Sequence, residues 1–382
     1  MKKLTLLTAL FSAVAFTACQ PDEKPQTSTP TAPSTYSFTR NGESTVSYTG
    51  QEERIAMLTA IGSYLGNVNT GGTVNASQLK DMFANSNGAF ATEGYSKQLK
   101  NKCASVEDAA FYEAWFEKTD SISKLQATAA NGKAGLLLKE GSSSGYLFDE
   151  NGLEPRQIIL KGLMGSVFYY QTVEHYLSVN ILADDNNNIV EGKNYTQMEH
   201  HYDEAFGYLG IAPDLSNADT DPKDQTRVNF WGEYVVKRHV ANDSYNMPGI
   251  NERLLNALIK GRHAIVLKQY DNRDAAIAEI SIILEQVCAN NALAYLEDAK
   301  DDTDVAARLH HLSEAVGFMI AMEGHRDGAI SEALFPRKSN QAKVDSALAI
   351  VGLNSNLWEV SNSDIDMAIT HLVEAFGNNP LK

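Results

Sequence analysis

The chain has 382 residues, with 48 acidic and 32 basic side chains and a formal net charge of -16. This balance excludes nucleic acid as a partner, because contacts to phosphates need lysine and arginine. Three cysteines are too few for a cysteine-rich metal site, and the length suffices for one large core or two modest ones.

The N-terminus predicts export and a membrane anchor. Two lysines precede an apolar stretch, Leu4 to Phe16, which is too short for a normal membrane span. The stretch runs into Phe16-Thr17-Ala18-Cys19, which resembles a bacterial lipobox. We therefore interpret residues 1–19 as a lipoprotein signal peptide and Cys19 as the lipidated residue. An ordinary secretory signal followed by an incidental cysteine is the alternative.

Residues 20–36 are rich in proline, threonine and serine, and they predict a flexible tether. Acyl chains at Cys19 would hold such a protein on a membrane without a spanning helix. The predicted location is the bacterial cell envelope, as an outer-membrane lipoprotein on its periplasmic or surface face.

From Gln51 onward, apolar residues recur every three or four positions, which predicts an all-α fold over residues 37–382. The best candidate for a little extended structure is 36–48. A loop is expected over 131–152, and Pro155 suits the first turn of the helix that follows. The predicted helices are 51–67, 107–130, 155–182, 195–210, 226–241, 248–271, 273–299, 303–323, 339–351 and 363–377.

One motif, His-x-x-Glu-Ala-(Phe/Val)-Gly, occurs three times in the chain. Its histidine and glutamate pairs are His201 and Glu204, His311 and Glu314, and His371 and Glu374. The first two copies begin with a histidine pair, because His200 and His310 come directly before them. On a helix, residues three apart lie on neighbouring turns, so each copy presents an imidazole and a carboxylate from one face.

Two interpretations of this motif remain open. Iron, zinc and manganese accept imidazole nitrogen together with carboxylate oxygen, so the copies are candidate metal ligands. The small alanine and glycine that follow the glutamate equally suit a close helix contact, in which histidine and glutamate only satisfy each other or the backbone. The metal interpretation requires copies to converge, with His201, Glu204, His311 and Glu314 as the first choice of ligands.

A faint duplication accompanies the motif. Tyr176-Leu177 and Tyr295-Leu296 each close a predicted long helix, and an acidic connector leads from each to a histidine pair. We predict two related helix hairpins in a helical bundle, over about 155–245 and 250–377.

No catalytic residues are identified. The chain lacks a Gly-x-Ser-x-Gly elbow, a phosphate-binding Gly-x-x-x-x-Gly-Lys-(Ser/Thr) loop and a His-Glu-x-x-His pair. Cys103 and Cys288 have no recognisable nucleophile context, and either a disulfide or two free thiols fits them.

Three segments resemble one family of helical bacterial lipoproteins, domain of unknown function 4856. They are Lys161-Gly162-Leu163-Met164-Gly165, the stretch from His200 to Tyr208, and the stretch from His311 to Phe318. The resemblance covers the chain from about Tyr36 and implies an association with imelysin-type proteins, which are two-bundle helical envelope proteins linked to iron uptake. The imelysin motif Gly-x-His-x-x-Glu is not matched, because the residues two before the three motif histidines are Glu199, Leu309 and Ile369.

Two functions are therefore expected from the sequence. The first is a lipid-anchored envelope protein that binds iron, another divalent metal or a metal chelate and assists iron acquisition, with imelysin-type or other iron-uptake envelope proteins as partners. The second is a non-catalytic scaffold or binding module that docks a membrane partner or an exported ligand.

Overall fold

The computed structural model describes residues 31–323 and 340–376, and helices dominate both ranges. The α-helices are α1 (Thr49–Leu65), α2 (Ala76–Ala84), α3 (Val106–Ser123), α4 (Pro155–Leu163), α5 (Ile181–Ala183), α6 (Gln197–Gly207), α7 (Trp231–Val240), α8 (Ile250–Val266), α9 (Tyr270–Asp301), α10 (Val305–Glu323), α11 (Gln341–Ile350) and α12 (Asn362–Ala375). A π-helix, Met164–Asn180, joins α4 to α5, and short 3-10 helices lie at Gly66–Thr70 and Lys100–Lys102. The predicted all-α fold is confirmed.

Local side-chain chemistry explains where several of these helices begin. Pro155 occupies the first turn of α4, where its missing N–H costs nothing. Thr196 and Glu199 form a capping box at the start of α6, in which each side chain bonds the other residue's backbone N–H. Ser361 and Asp364 do the same at the start of α12. These caps fix the position of the two helices that carry the first and third motif copies.

Two antiparallel hairpins account for the strands among the described residues. The pair β1 (Thr39–Arg40) and β2 (Glu43–Ser44) lies where extended structure was predicted. The pair β3 (Gly135–Leu138) and β4 (Gly145–Phe148) lies inside the predicted loop 131–152, so that prediction was wrong over these eight residues. The short Gly-Leu-Leu-Leu run shows no apolar and polar alternation, which is the signal by which a strand is recognised.

Several helix predictions also need correction. The predicted helix 107–130 ends at Ser123, and Gln126 then adopts a left-handed backbone with φ of 49°. Helix α2 was not predicted, because its nine residues are too few for a clear periodic pattern. It is bounded by the N-cap Asn75 and by Asn85, whose φ is 46°.

Helix α7 begins five residues after the predicted start at 226, and α8 ends five residues before the predicted end at 271. Residues with positive φ, Phe230 (50°) and Lys268 (56°), lie just outside these two bounds. The other predicted helices lie within three residues of their observed bounds.

The π-helix occupies the middle of the long helix predicted over 155–182. It begins where Gly165 lets α10 approach, since a Cβ on Gly165 would lie 2.5 Å from Ala321 Cα. Donors outside the helix bond its first carbonyls, Trp231 Nε1 to Met164 O at 3.0 Å and Ala104 N to Ser166 O at 2.9 Å. Its wider turn thus coincides with close packing and with carbonyls that are bonded from outside.

A single hydrophobic cluster, from Tyr36 to Phe376, joins the described helices. Its centre is α9, which packs along α8 and α10, while α10 also packs on α4. No helix within the described ranges is both long and apolar enough to cross a bilayer. No disulfide links Cys103 and Cys288.

Candidate metal centre

The second motif copy lies on α10, and two carboxylates hold its histidines. His310 Nδ1 lies 2.5 Å from Glu154 Oε2, and His311 Nδ1 lies 2.7 Å from Asp302 Oδ2. A carboxylate at Nδ1 keeps the proton on that nitrogen and leaves Nε2 with a lone pair. Histidines that bind metals through Nε2 are commonly held in this way, so both rings have the carboxylate contact that is typical of a metal ligand.

Glu314 completes what we call the α10 cluster, His310, His311 and Glu314. One ligand atom from each lies within 4.8 Å of the others, and no other group of three or more such side chains meets this criterion among the described residues. His310 Nε2 is 3.6 Å from Glu314 Oε2. Two ligands that share an ion at about 2.0–2.2 Å are at most about 4 Å apart, so side-chain movements below about 1 Å would close this set around a metal.

Glu314 is the buried member of the α10 cluster, and neighbouring charges keep its carboxylate ionised. Burial alone would raise the pKa of Glu314, but Lys161 and His310 outweigh it and hold that pKa at about 2. Lys161 Nζ lies 2.8 Å from Glu314 Oε1. Burial would lower the pKa of His310, whereas Glu154 and Glu314 raise it by a larger amount. Glu314 therefore presents an anionic oxygen at neutral pH.

The first copy, on α6, repeats much of this arrangement. We call His200, His201 and Glu204 the α6 cluster. His201 Nδ1 lies 2.7 Å from Asp184 Oδ2, which matches the contact between His311 and Asp302. In the α6 cluster, Tyr176 contacts His201, Tyr195 stacks on His200, Gln51 bonds Glu204 and Lys102 lies over Tyr176. In the α10 cluster, the corresponding contacts are Tyr295 with His311, Tyr146 stacked on His310, Lys161 with Glu314 and Lys237 over Tyr295. The duplication itself stays a prediction.

Two differences separate the two clusters. The amide of Gln197 lies 2.6 Å from His201 Nε2, whereas Ala307 occupies the equivalent position one turn before His311. Among the described residues no carboxylate pairs with His200 Nδ1, whereas His310 Nδ1 has Glu154. Gln197 therefore competes for His201 Nε2, whereas no hydrogen bond among the described residues occupies Nε2 of His310 or of His311.

The third copy, on α12, lies near the surface. His371 Nδ1 is 4.0 Å from Glu374 Oε2, and Lys343 pairs with that carboxylate at 2.5 Å. Both motif side chains are a third or more exposed. Gly377, the last residue of this copy, lies outside the described residues.

The motif glycines pack two helix pairs closely, as the alternative interpretation predicted. A Cβ on Gly207 would lie 2.7 Å from Tyr48 Cβ and 2.8 Å from Gln51 Cβ on α1. A Cβ on Gly317 would lie 2.7 Å from Lys161 Cβ on α4. In each case the close helix supplies the side chain that bonds the motif glutamate. Packing and polar contact are thus two parts of one arrangement.

The structure does not bring His201, Glu204, His311 and Glu314 together. Helix α6 packs against α1, the π-helix and α8, whereas α10 packs against α9 and α4. The α6 cluster and the α10 cluster line separate pockets, and no hydrogen bond, ion pair or ring contact joins them among the described residues. Cys19 lies outside those residues.

Sequence reasoning missed the residues that orient the ligands. Asp302 was recognised only as part of an acidic connector, and Lys161 only as part of a family motif. Glu154 carried no signal, since it contacts His310 across 156 residues of sequence.

Comparisons with known proteins identify the family. A family model described as domain of unknown function (DUF4856) matches residues 33–378. No significant match was found among curated proteins, and none among solved structures. The likeness to imelysin-type proteins therefore stays a prediction. Because the family model covers nearly the whole chain, this protein belongs to the DUF4856 family.

Proposed function

We propose that this chain is a lipid-anchored protein of the bacterial envelope that binds one divalent transition metal at the α10 cluster and assists iron acquisition. The observation that carries the metal site is the orientation of His310 and His311 by Glu154 and Asp302, with the ionised Glu314 beside them. Two imidazoles and one carboxylate form a ligand set that suits ferrous iron and also zinc.

The surroundings favour a cation at this position. Glu154, Asp302 and Glu314 contribute three carboxylates, against which Lys161 is the one cation in direct ion pairing with the cluster among the described residues. The site adjoins a polar pocket of about 360 Å³ that His310 and Glu314 line, which gives an ion a route from solvent.

Lipidation and export are proposed on the N-terminal sequence alone, since a lipobox-like Cys19 follows a short apolar stretch. The link to iron uptake is proposed on the resemblance to proteins that accompany imelysins, and the ligand set is compatible with it.

The test is elemental analysis of the full-length chain, purified in mild detergent without chelator and offered iron, zinc and manganese. We expect close to one equivalent of metal per chain, and its loss in His311→Ala. The matched variants His201→Ala and His371→Ala should keep the metal. His311 is partly exposed, so its removal should leave the fold intact, which a thermal melt checks. Absence of metal from the wild type under every condition would overturn the proposal.

A further inference from the structure

A second polar pocket, beside the α6 cluster, is lined by more cationic than anionic side chains. It measures about 340 Å³ and lies between the first turn of α1, the segment 96–102 and α6. We call it the α1 pocket, and its charged or titratable lining residues are Glu53, Arg54, Lys97, Lys102, His200 and Glu204. Three of these side chains are permanently or normally cationic.

The cations of the α1 pocket lack carboxylate partners. Among the described residues, neither Arg54, Lys97 nor Lys102 has an acidic oxygen within 4.0 Å. Arg54 is only 6% exposed, and it donates to backbone oxygens of Gln98 and Gly50 at 2.8 and 3.0 Å. Lys102 Nζ donates to Tyr176 Oη at 3.2 Å. A buried charge without a counter-ion is costly. The chain has 48 acidic residues, yet none of the described ones pairs with these three cations.

The two carboxylates of the pocket are already engaged by neutral donors. Glu53 Oε2 accepts from the backbone N–H groups of Ser96 and Lys97 at 2.8 and 3.1 Å. Glu204 Oε1 accepts from Gln51 Nε2 at 2.8 Å. They offset part of the positive charge without pairing with any of the three cations, so the cationic groups stay available to a ligand.

The start of α1 adds hydrogen-bond donors to the same pocket. Thr49 and Gly50 line it, and no side chain caps this end of the helix. Free N–H groups and the positive end of the helix dipole favour an anion there. Burial and the nearby Arg54 lower the pKa of Lys102. An anion between these cations would relieve their repulsion.

We propose that the α1 pocket binds a small oxyanion, that is, a phosphate or carboxylate group of a solute. The motif copies would then have diverged, with a cation site at the α10 cluster and an anion site beside the α6 cluster. Lys102 and Lys97 would bind the charge, and the N–H groups of Thr49 and Gly50 would bind its oxygens. This inference stands apart from the metal proposal, since the two pockets share no lining residue.

The probes are inorganic phosphate and malonate, titrated separately into the full-length chain in detergent and followed by calorimetry and by amide NMR shifts. We expect saturable binding of at least one probe, with shifts at Thr49, Gly50 and His200. Lys102→Gln and the exposed Lys97→Gln should each weaken it at least tenfold. Lys124→Gln is the charge-matched control, because Lys124 pairs with Asp120 on the surface.

The outcomes separate the sources and the proposals. Binding of phosphate alone or of malonate alone identifies the preferred oxyanion, and His311→Ala should leave either unchanged. If neither probe saturates, or if Lys124→Gln weakens binding as much as Lys102→Gln does, the anion site is overturned. That result would leave the metal proposal untouched.

Discussion

Lys161 Nζ lies 2.8 Å from Glu314 Oε1, and both side chains are almost fully buried, so α4 and α10 are joined by an ion pair beside the proposed metal. At the matching position on α1, Gln51 offers Glu204 a neutral amide at the same distance. The ammonium group of Lys161 and a metal would therefore share one carboxylate, each at a different oxygen.

Lys161→Met is expected to lower the free energy of unfolding of the metal-free protein at pH 7 by about 3–5 kcal/mol, because it leaves Glu314 buried without its cation. Added metal should restore most of this loss, since the ion supplies the missing positive charge. Urea unfolding with chelator and with metal measures both effects. Gln51→Met is the control, with a loss of about 1–2 kcal/mol and no response to metal. If metal stabilises the wild type but not Lys161→Met, we would conclude that Glu314 is not a metal ligand.

Asp302→Asn tests the orientation of His311. The amide cannot hold the ring as the carboxylate does, so metal affinity should fall by about 10–100-fold while the stoichiometry at saturation stays the same. Asp184→Asn makes the identical change beside His201 and should leave metal affinity unchanged. Competition against a chromophoric chelator measures both variants. Equal losses in the two would mean that the α6 cluster also contributes ligands.

The glycine of the motif can be tested separately from its polar residues. Gly317→Ala places a methyl group 2.7 Å from Lys161 Cβ, and Gly207→Ala places one 2.7 Å from Tyr48 Cβ. Each should lower the free energy of unfolding by about 1–3 kcal/mol, although alanine favours a helix by about 1 kcal/mol. Gly66→Ala is the control, because nothing lies within 4 Å of its added methyl group. Denaturant midpoints of the three variants give the answer, and a neutral Gly317→Ala would contradict close packing.

The sequence predicted what depends on neighbouring residues and missed what depends on distant ones. Periodicity and caps act within a turn or two, so the helices that begin at Pro155 and after Thr196 were predicted near their observed bounds. The motif also revealed its histidines and glutamates. Glu154 reaches His310 only after α4 and α10 have packed together, and no local pattern encodes that contact. The first two motif copies do not converge, because α6 and α10 pack on different helices. No local pattern encodes that packing either.

Arg262 offers a structural test that lies away from the proposed metal. Its fully buried guanidinium donates to Asp203 Oδ1 at 2.8 Å and to Glu199 Oε1 at 3.1 Å. Arg262→Met should lower the free energy of unfolding at pH 7 by about 3–5 kcal/mol and leave the metal content unchanged. Arg253→Met, on the same helix, removes an exposed pair with Glu279 and should cost less than about 1 kcal/mol.

The cost of Arg262→Met should also depend on pH, with a sign that Asp203 fixes. Burial raises the pKa of Asp203 to about 6, against the lowering effect of Arg262 and the hydrogen bond from Tyr36. A raised folded pKa means that the contribution to stability is fully present below the unfolded value and is lost as the pH rises through about 6. Without Arg262 this pKa rises further, so the neutral acid predominates at pH 5 and no unpaired charge stays buried at Asp203.

Glu199, the other acidic partner of Arg262, keeps Arg40 as a partner at 2.9 Å and should not reverse the trend. Urea midpoints of wild type and variant at pH 5 and pH 7.5 should therefore differ less at the lower pH, and a gap that widens on acidification would show that Glu199, not Asp203, controls the network.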